Sequence, residues 1–202
     1  MRLAALASVL GGVAWLGLIA ASELYERDDL SYGGYYRYLA LPLLLFVIAW
    51  IAFRGSWPQR DLREQAGYFV TLAGLALVFA GAALEFWGSW AVGEPIPDSG
   101  YGAEDEVWRG AELGRTVFLL GFLLLLVGGV TAGVAACRAR FVPTWAAVLI
   151  GLAGFGILLG NMLQESSLPV TAVGFGLFGL GWIALGVSRL RGGYSPSGTT
   201  TS

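Results

Sequence analysis

Six long apolar runs alternate with polar intervals along the chain, covering residues 3–22, 38–53, 68–87, 116–136, 143–163 and 170–188. Each run approaches the roughly 20 residues that an α-helix needs to cross about 30 Å of hydrocarbon. Helices with internally bonded backbones satisfy every peptide group in lipid. The expected fold is therefore all-α: a polytopic membrane protein with six transmembrane helices in one bundle over residues 1–188. A disordered tail, 189–202, rich in Gly, Ser and Thr, follows it. Ala20-Ala21-Ser22 is a crude cleavage signature, but the first run is about twice the length of a signal-peptide core, so it is read as helix 1.

The polar intervals have distinct characters. Residues 23–37 are acidic and carry Tyr25, Tyr32, Tyr35 and Tyr36, side chains suited to headgroup level. Residues 54–65 form a basic connector with Trp57-Pro58 as an interfacial turn, and Trp50 carries helix 2 to the interface. Residues 137–142 are a tight turn with two arginines. Pro42 is expected in the first turns of helix 2 and Pro143 at the start of helix 5, where a missing N–H costs least.

The longest interval is the central loop, 88–115. Pro95 and Pro97 make its first part extended, and Ser99-Gly100-Tyr101-Gly102 reads as a turn. The remainder looks helical. Glu104, Asp105 and Glu106 suit a helix N-terminus. Asp105 and Arg109 stand at i, i+4, and Glu112 and Arg115 at i, i+3. A short helix on the membrane surface, anchored by Trp108 and running into helix 4, is expected here.

Composition supports the membrane reading. Hydrophobic residues make up 56% of the 202, charged residues only 13%, and the mean hydropathy is +0.69. An ordinary soluble domain needs a more polar surface. All 12 basic residues are arginine, and there is no histidine. Haem ligation by paired histidines and histidine proton relays are thereby excluded. The single cysteine, Cys137, rules out an internal disulfide or a Cys-rich zinc site. It reads as a small buried apolar residue, with S-acylation beside Arg138 and Arg140 as the alternative. No metal, cofactor or nucleic-acid partner is expected.

The arginines also give orientation. Arg2, Arg54, Arg60, Arg63, Arg138, Arg140, Arg189 and Arg191 face two carboxylates, Asp61 and Glu64, for a net +6 on one side. The other side carries four arginines against twelve carboxylates, a net −8. Positive-inside bias places both termini in the cytoplasm and the central loop outside.

Within the runs, Glu85 is the one ionisable residue away from helix ends. It lies about 25 Å along helix 3 from Tyr68, just beneath the outer interface. The candidate outer-face site is therefore Glu85 with Arg115, Arg109 and Glu112. Trp87, Trp90 and Trp108 are the expected interface anchors. Either Glu85 lines the mouth of a cavity, or it pairs with Arg115 and reaches the headgroups. Thr131 is the notable polar group deep in a helix, and its hydroxyl is expected to bond to its own backbone. Glycines favour the second half of the chain. Gly129-xxx-Gly133 and Gly156-xxx-Gly160 are small-xxx-small pairs, and Ala146, Ala153 and Gly160 recur at seven. Such faces allow close helix approach, within one chain or across a homo-oligomer seam.

The stretches GFLLLLVGGVTAGVAACRARFVPTWAAVLIGLAG and LPVTAVGFGLFGLGWIALGVSRLR resemble multi-spanning membrane proteins of GC-rich bacteria. In these a basic turn and Pro-x-Trp, here Pro143 and Trp145, join two Gly/Ala-rich helices. The resemblance implies a membrane bundle and no activity. The expected role is non-enzymatic: structural, accessory or partner-binding in the plasma membrane. The partners would be the lipid bilayer, a further copy of the chain or another membrane protein. The alternatives are a small carrier for an apolar or amphipathic solute with its site near Glu85, and a lipid-acting enzyme using outer carboxylates.

Overall fold

Bilayer-facing helices can hold their backbone bonds well past the last apolar residue, because those bonds lie within the segment. The computed structural model describes residues 2–26, 32–57, 61–92, 106–162 and 168–191, with side chains described over 2–19, 38–57, 61–84, 113–156 and 172–191. These residues form six helices: α1 (Arg2–Glu26), α2 (Tyr32–Phe53), α3 (Leu62–Val92), α4 (Glu106–Arg138), α5 (Thr144–Met162) and α6 (Leu168–Leu190), with a 3₁₀ turn at Arg54–Ser56.

The helices outrun the apolar segments that announced them. Both ends of the tyrosine-rich connector are helical, and α3 takes in the end of the basic one. The predicted surface helix is not a separate element. From Glu106 it is continuous with α4, so α3 and α4 close the central loop from both sides. The extended strap at Pro95 and Pro97 lies outside the described residues, as does the tail beyond Arg191. Because α2 starts at Tyr32, Pro42 falls in the helix interior rather than its first turns. There it has no N–H for the carbonyl of Tyr38. Pro143 precedes α5, and its carbonyl accepts from Ala146 and Ala147.

The helices pack as a closed ring in which each touches its neighbours in sequence and α1 closes on α6. All neighbours are antiparallel. Gly12 meets Gly179 and Gly186 meets Ala5, so α1 and α6 run oppositely; Gly67 meets Thr131 and Gly81 meets Gly114, so α3 and α4 do as well. One end of the ring therefore gathers Arg2, Arg54, Arg63, Arg138, Arg140, Arg189 and Arg191.

Five helices contain stretches long and apolar enough to cross a membrane, and α5 adds a shorter apolar stretch, Thr144–Gly156. Large aliphatic side chains such as Leu10, Leu44, Leu123 and Val148 project outward from the ring. Many small and aromatic residues turn inward, together with Leu18, Leu43, Leu75 and Leu185. This distribution fits lipid, where helices associate through close packing and not through hydrophobic burial.

Glycine sets the spacing of the ring. On α3, Gly67, Gly74 and Gly81 recur every seven residues and face α4, where Gly114, Gly121 and Gly128 do the same. A Cβ on Gly74 would stand 2.8 Å from the Leu125 nitrogen, and one on Gly121 would stand 2.7 Å from the Val78 nitrogen. This seam is the most extensive in the molecule. The expected pair Gly129 and Gly133 faces α5, against Ile150 and Gly154 and against Ala147 and Gly151. Gly156 meets Gly174 and Leu177 on α6. The surroundings of Gly160 lie outside the described residues.

A ring of six helices leaves a hole at its axis, and aromatic side chains fill it. Trp15, Phe46, Trp50, Phe175, Phe178 and Trp182 are all buried. Phe46 stacks on Trp182 at 4.4 Å, and Trp15 touches Phe178 at 4.8 Å. Between this column and α3–α5 remains a void of about 30 Å³, lined by Thr71, Gly129, Gly154 and Gly181 among others.

Candidate functional site

The aromatic column leads to the arginine-rich end, where polar chemistry begins. There α2 ends, α3 starts, and the α4–α5 turn meets the end of α6. Asp61 starts α3 as its N-cap, its Oδ1 accepting from the Glu64 backbone N–H at 2.8 Å. Trp50 and Tyr68 then lock α2 to α3 reciprocally. The Trp50 indole N–H donates to the Tyr68 carbonyl at 2.9 Å, and the Tyr68 hydroxyl donates to the Trp50 carbonyl at 3.1 Å. Their rings stack at 5.6 Å. Trp57 adds a third bond, donating to the Glu64 carbonyl at 3.1 Å. These bonds bind two helices whose mutual contact is the slimmest in the ring. Trp50 and Trp57 are thus interior clamps at the arginine-rich end. Each is at most 3% exposed, because each indole N–H has a carbonyl waiting on α3.

The turn between α4 and α5 closes the same end. Phe141 N–H donates to the Ala136 carbonyl and Arg140 N–H to the Cys137 carbonyl, the two bonds of a Schellman cap. The left-handed position of that cap falls to Arg140, at φ 50°, where glycine is the usual occupant. Arg189 of α6 donates to the Phe141 carbonyl at 3.1 Å and lies over the Phe141 ring at 4.1 Å. Arg54 covers Tyr68 and Phe69 at 5.0 and 4.8 Å. Guanidinium groups thus lie over aromatic faces around this end, a cation–π arrangement that arginine suits better than lysine.

Beside this plug lies an open-sided groove of about 270 Å³ between the start of α3 and the end of α4. Asp61, Arg63, Glu64 and Arg138 edge it; Ala66, Val130, Thr131, Val134 and Ala135 form its floor. Asp61, Arg63 and Arg138 are exposed, while Glu64 is buried. Across the Val130–Val134 ridge of α4 is a second, wholly apolar groove against α5 that includes Cys137. Cys137 is exposed, contrary to the expectation of burial, because it sits on the outward face of α4.

The site predicted at the opposite end is only partly described. The antiparallel α3–α4 pairing sets Arg115 beside the Gly81–Gly114 contact and Glu85 about one turn farther out, level with Gly110. Arg115 is exposed. The side chains of Glu85, Arg109 and Glu112, and those of Trp87, Trp90 and Trp108, lie outside the described residues. Among the described residues, no three Cys, Asp or Glu side chains gather as metal ligands. Thr131 donates to the Val127 and Gly128 carbonyls, as its position predicted. Thr71 bonds similarly to Gly67 in the bundle interior, and Ser8 donates to the Trp182 carbonyl at 2.7 Å.

The aromatic column had one legible signal. Trp15 and Trp182 stand deep inside apolar runs, away from the interfaces where tryptophan usually sits. The seven-residue glycine spacing on α3 and α4 was equally visible, but Gly67 fell outside the expected span of helix 3. No family model, curated protein or solved structure matches this chain.

Proposed function

We propose that this chain is a six-span integral protein of the bacterial plasma membrane, with both termini cytoplasmic and a non-enzymatic structural, accessory or partner-binding role. The observation that carries this reading is the filled bundle axis. Aromatic rings and glycine-spaced helices leave a central void of about 30 Å³, enough for a water or two and too small for a solute. Three polar groups along the axis are engaged with backbone carbonyls: Thr71 with Gly67, Ser8 with Trp182, Trp15 with Phe175. A carrier would have to part the rings of Trp15, Phe46, Trp50 and Trp182.

Orientation rests on the arginines gathered at the end where the Trp50–Tyr68 clamp lies. The sixth span rests on α5, whose 19 residues extend about 28 Å. Partners are sought within the membrane: lipid, a further copy, or another integral protein. The test is purification in mild detergent, with the mass of the intact complex measured and its components identified. The expected result is an assembly of fixed stoichiometry, with itself or with one other membrane protein. A lone monomer that moves solutes across proteoliposomes, and loses that activity on Glu85→Gln, would overturn the reading in favour of a carrier.

A further inference from the structure

The groove between α3 and α4 joins a charged rim to an apolar floor. Its rim holds two exposed guanidinium groups, Arg63 and Arg138, one exposed carboxylate, Asp61, and a buried one, Glu64. Its floor is apolar along Val130, Val134 and Ala135. It also lies at a definite level. The apolar stretch of α3 begins at Leu62, and that of α4 ends at Arg138. The rim is therefore where a span leaves the hydrocarbon. Val130 lies two turns below Arg138, about 12 Å toward the bilayer centre. A charged rim at headgroup level over a trough reaching into the acyl region has the polarity profile of a phospholipid.

The charges narrow the headgroup. Two arginines offer forked donors to a phosphate. Asp61 accepts the α3 cap bond through Oδ1, and its carboxylate stands on the same rim as the two arginines. It disfavours a second anion and favours a cation beside the phosphate. We propose that this groove holds one phospholipid whose headgroup carries a phosphate and a primary ammonium. The phosphate lies between Arg63 and Arg138, the ammonium at Asp61, and one acyl chain along Val130 and Val134. The proposal rests on the chain lying in a bilayer, not on which end faces the cytoplasm nor on the nature of its partners.

The test is native mass spectrometry of the full chain in detergent, equilibrated with equal amounts of phosphatidylethanolamine and phosphatidylglycerol. The expected result is preferential retention of one phosphatidylethanolamine. Arg63→Gln and Arg138→Gln should each lower that retention about fivefold, the scale of one partly exposed charged hydrogen bond. Arg191→Gln, an exposed arginine outside the groove, should leave it unchanged. Asp61→Asn preserves the helix cap, because asparagine caps as well as aspartate, and should shift the preference to phosphatidylglycerol. Free phosphoethanolamine should not displace the lipid, because it lacks the chain that fills the floor. Equal retention of both lipids, preference for phosphatidylglycerol in the unaltered chain, or an equal loss in Arg191→Gln would overturn the proposal. Displacement by the free headgroup would overturn the acyl part. Failure here leaves the partner-binding reading intact, since complex stoichiometry tests that separately.

Discussion

Arg140 shows how a single residue departs from what local energetics prefer. It holds φ 50° at a helix cap, a conformation glycine adopts freely and other residues adopt at a cost of about 1 kcal/mol or more. Arg140→Gly should therefore raise the stability of the micelle-solubilised protein by about 1 kcal/mol, read as a higher unfolding midpoint. A lower midpoint would show that the Arg140 side chain makes a contact worth more than the strain. Trp50 and Tyr68 present the opposite case, since both satisfy local demands at once. Tyr68→Phe removes one donor while keeping the stacked ring. It should cost about 0.6 kcal/mol, the usual worth of a side-chain bond between membrane helices. Trp50→Ala removes ring, bond and column contact together and should cost about 3 kcal/mol or more. Equal losses in the two variants would mean that the rings contribute nothing beyond their donors.

At the scale of elements, the number and approximate centres of the helices were legible, because apolar runs of membrane length are hard to place elsewhere. Their ends were not. A polar sequence such as that around Glu106 to Arg115 continues a helix as readily as it lies on a surface, since intrahelical bonds do not depend on side-chain polarity. The candidate site divided in the same way. Thr131 behaved as its position implied, whereas Cys137 did not, because burial depends on which face a neighbouring helix covers. The glycines separate such cases sharply. Gly121 stands against α3 backbone, and Gly151 has nothing within 4 Å of its would-be Cβ. Gly121→Ala should cost about 1–3 kcal/mol by forcing α3 and α4 apart. Gly151→Ala should leave stability unchanged or raise it by up to about 1 kcal/mol through better helix propensity. Thermal unfolding of the pair in the same detergent checks this, and an equally large loss in Gly151→Ala would place another surface against α5.

For the whole molecule, the ring order and the gathering of arginines at one end follow from antiparallel packing of consecutive helices. Six crossings, the number proposed above, would put both termini on the arginine-rich side of the membrane. The most direct measurement of this arrangement uses the chain without its one native thiol. In a Cys137→Ser background, Ser99→Cys marks the central loop and Ser202→Cys marks the C-terminus. A membrane-impermeant maleimide applied to intact cells should label the variant at position 99 and spare the one at position 202. Inverted vesicles should reverse the result. Labelling of both positions from the same side would mean that an even number of spans separates the central loop from the C-terminus, and would contradict a six-span bundle with its arginines inside.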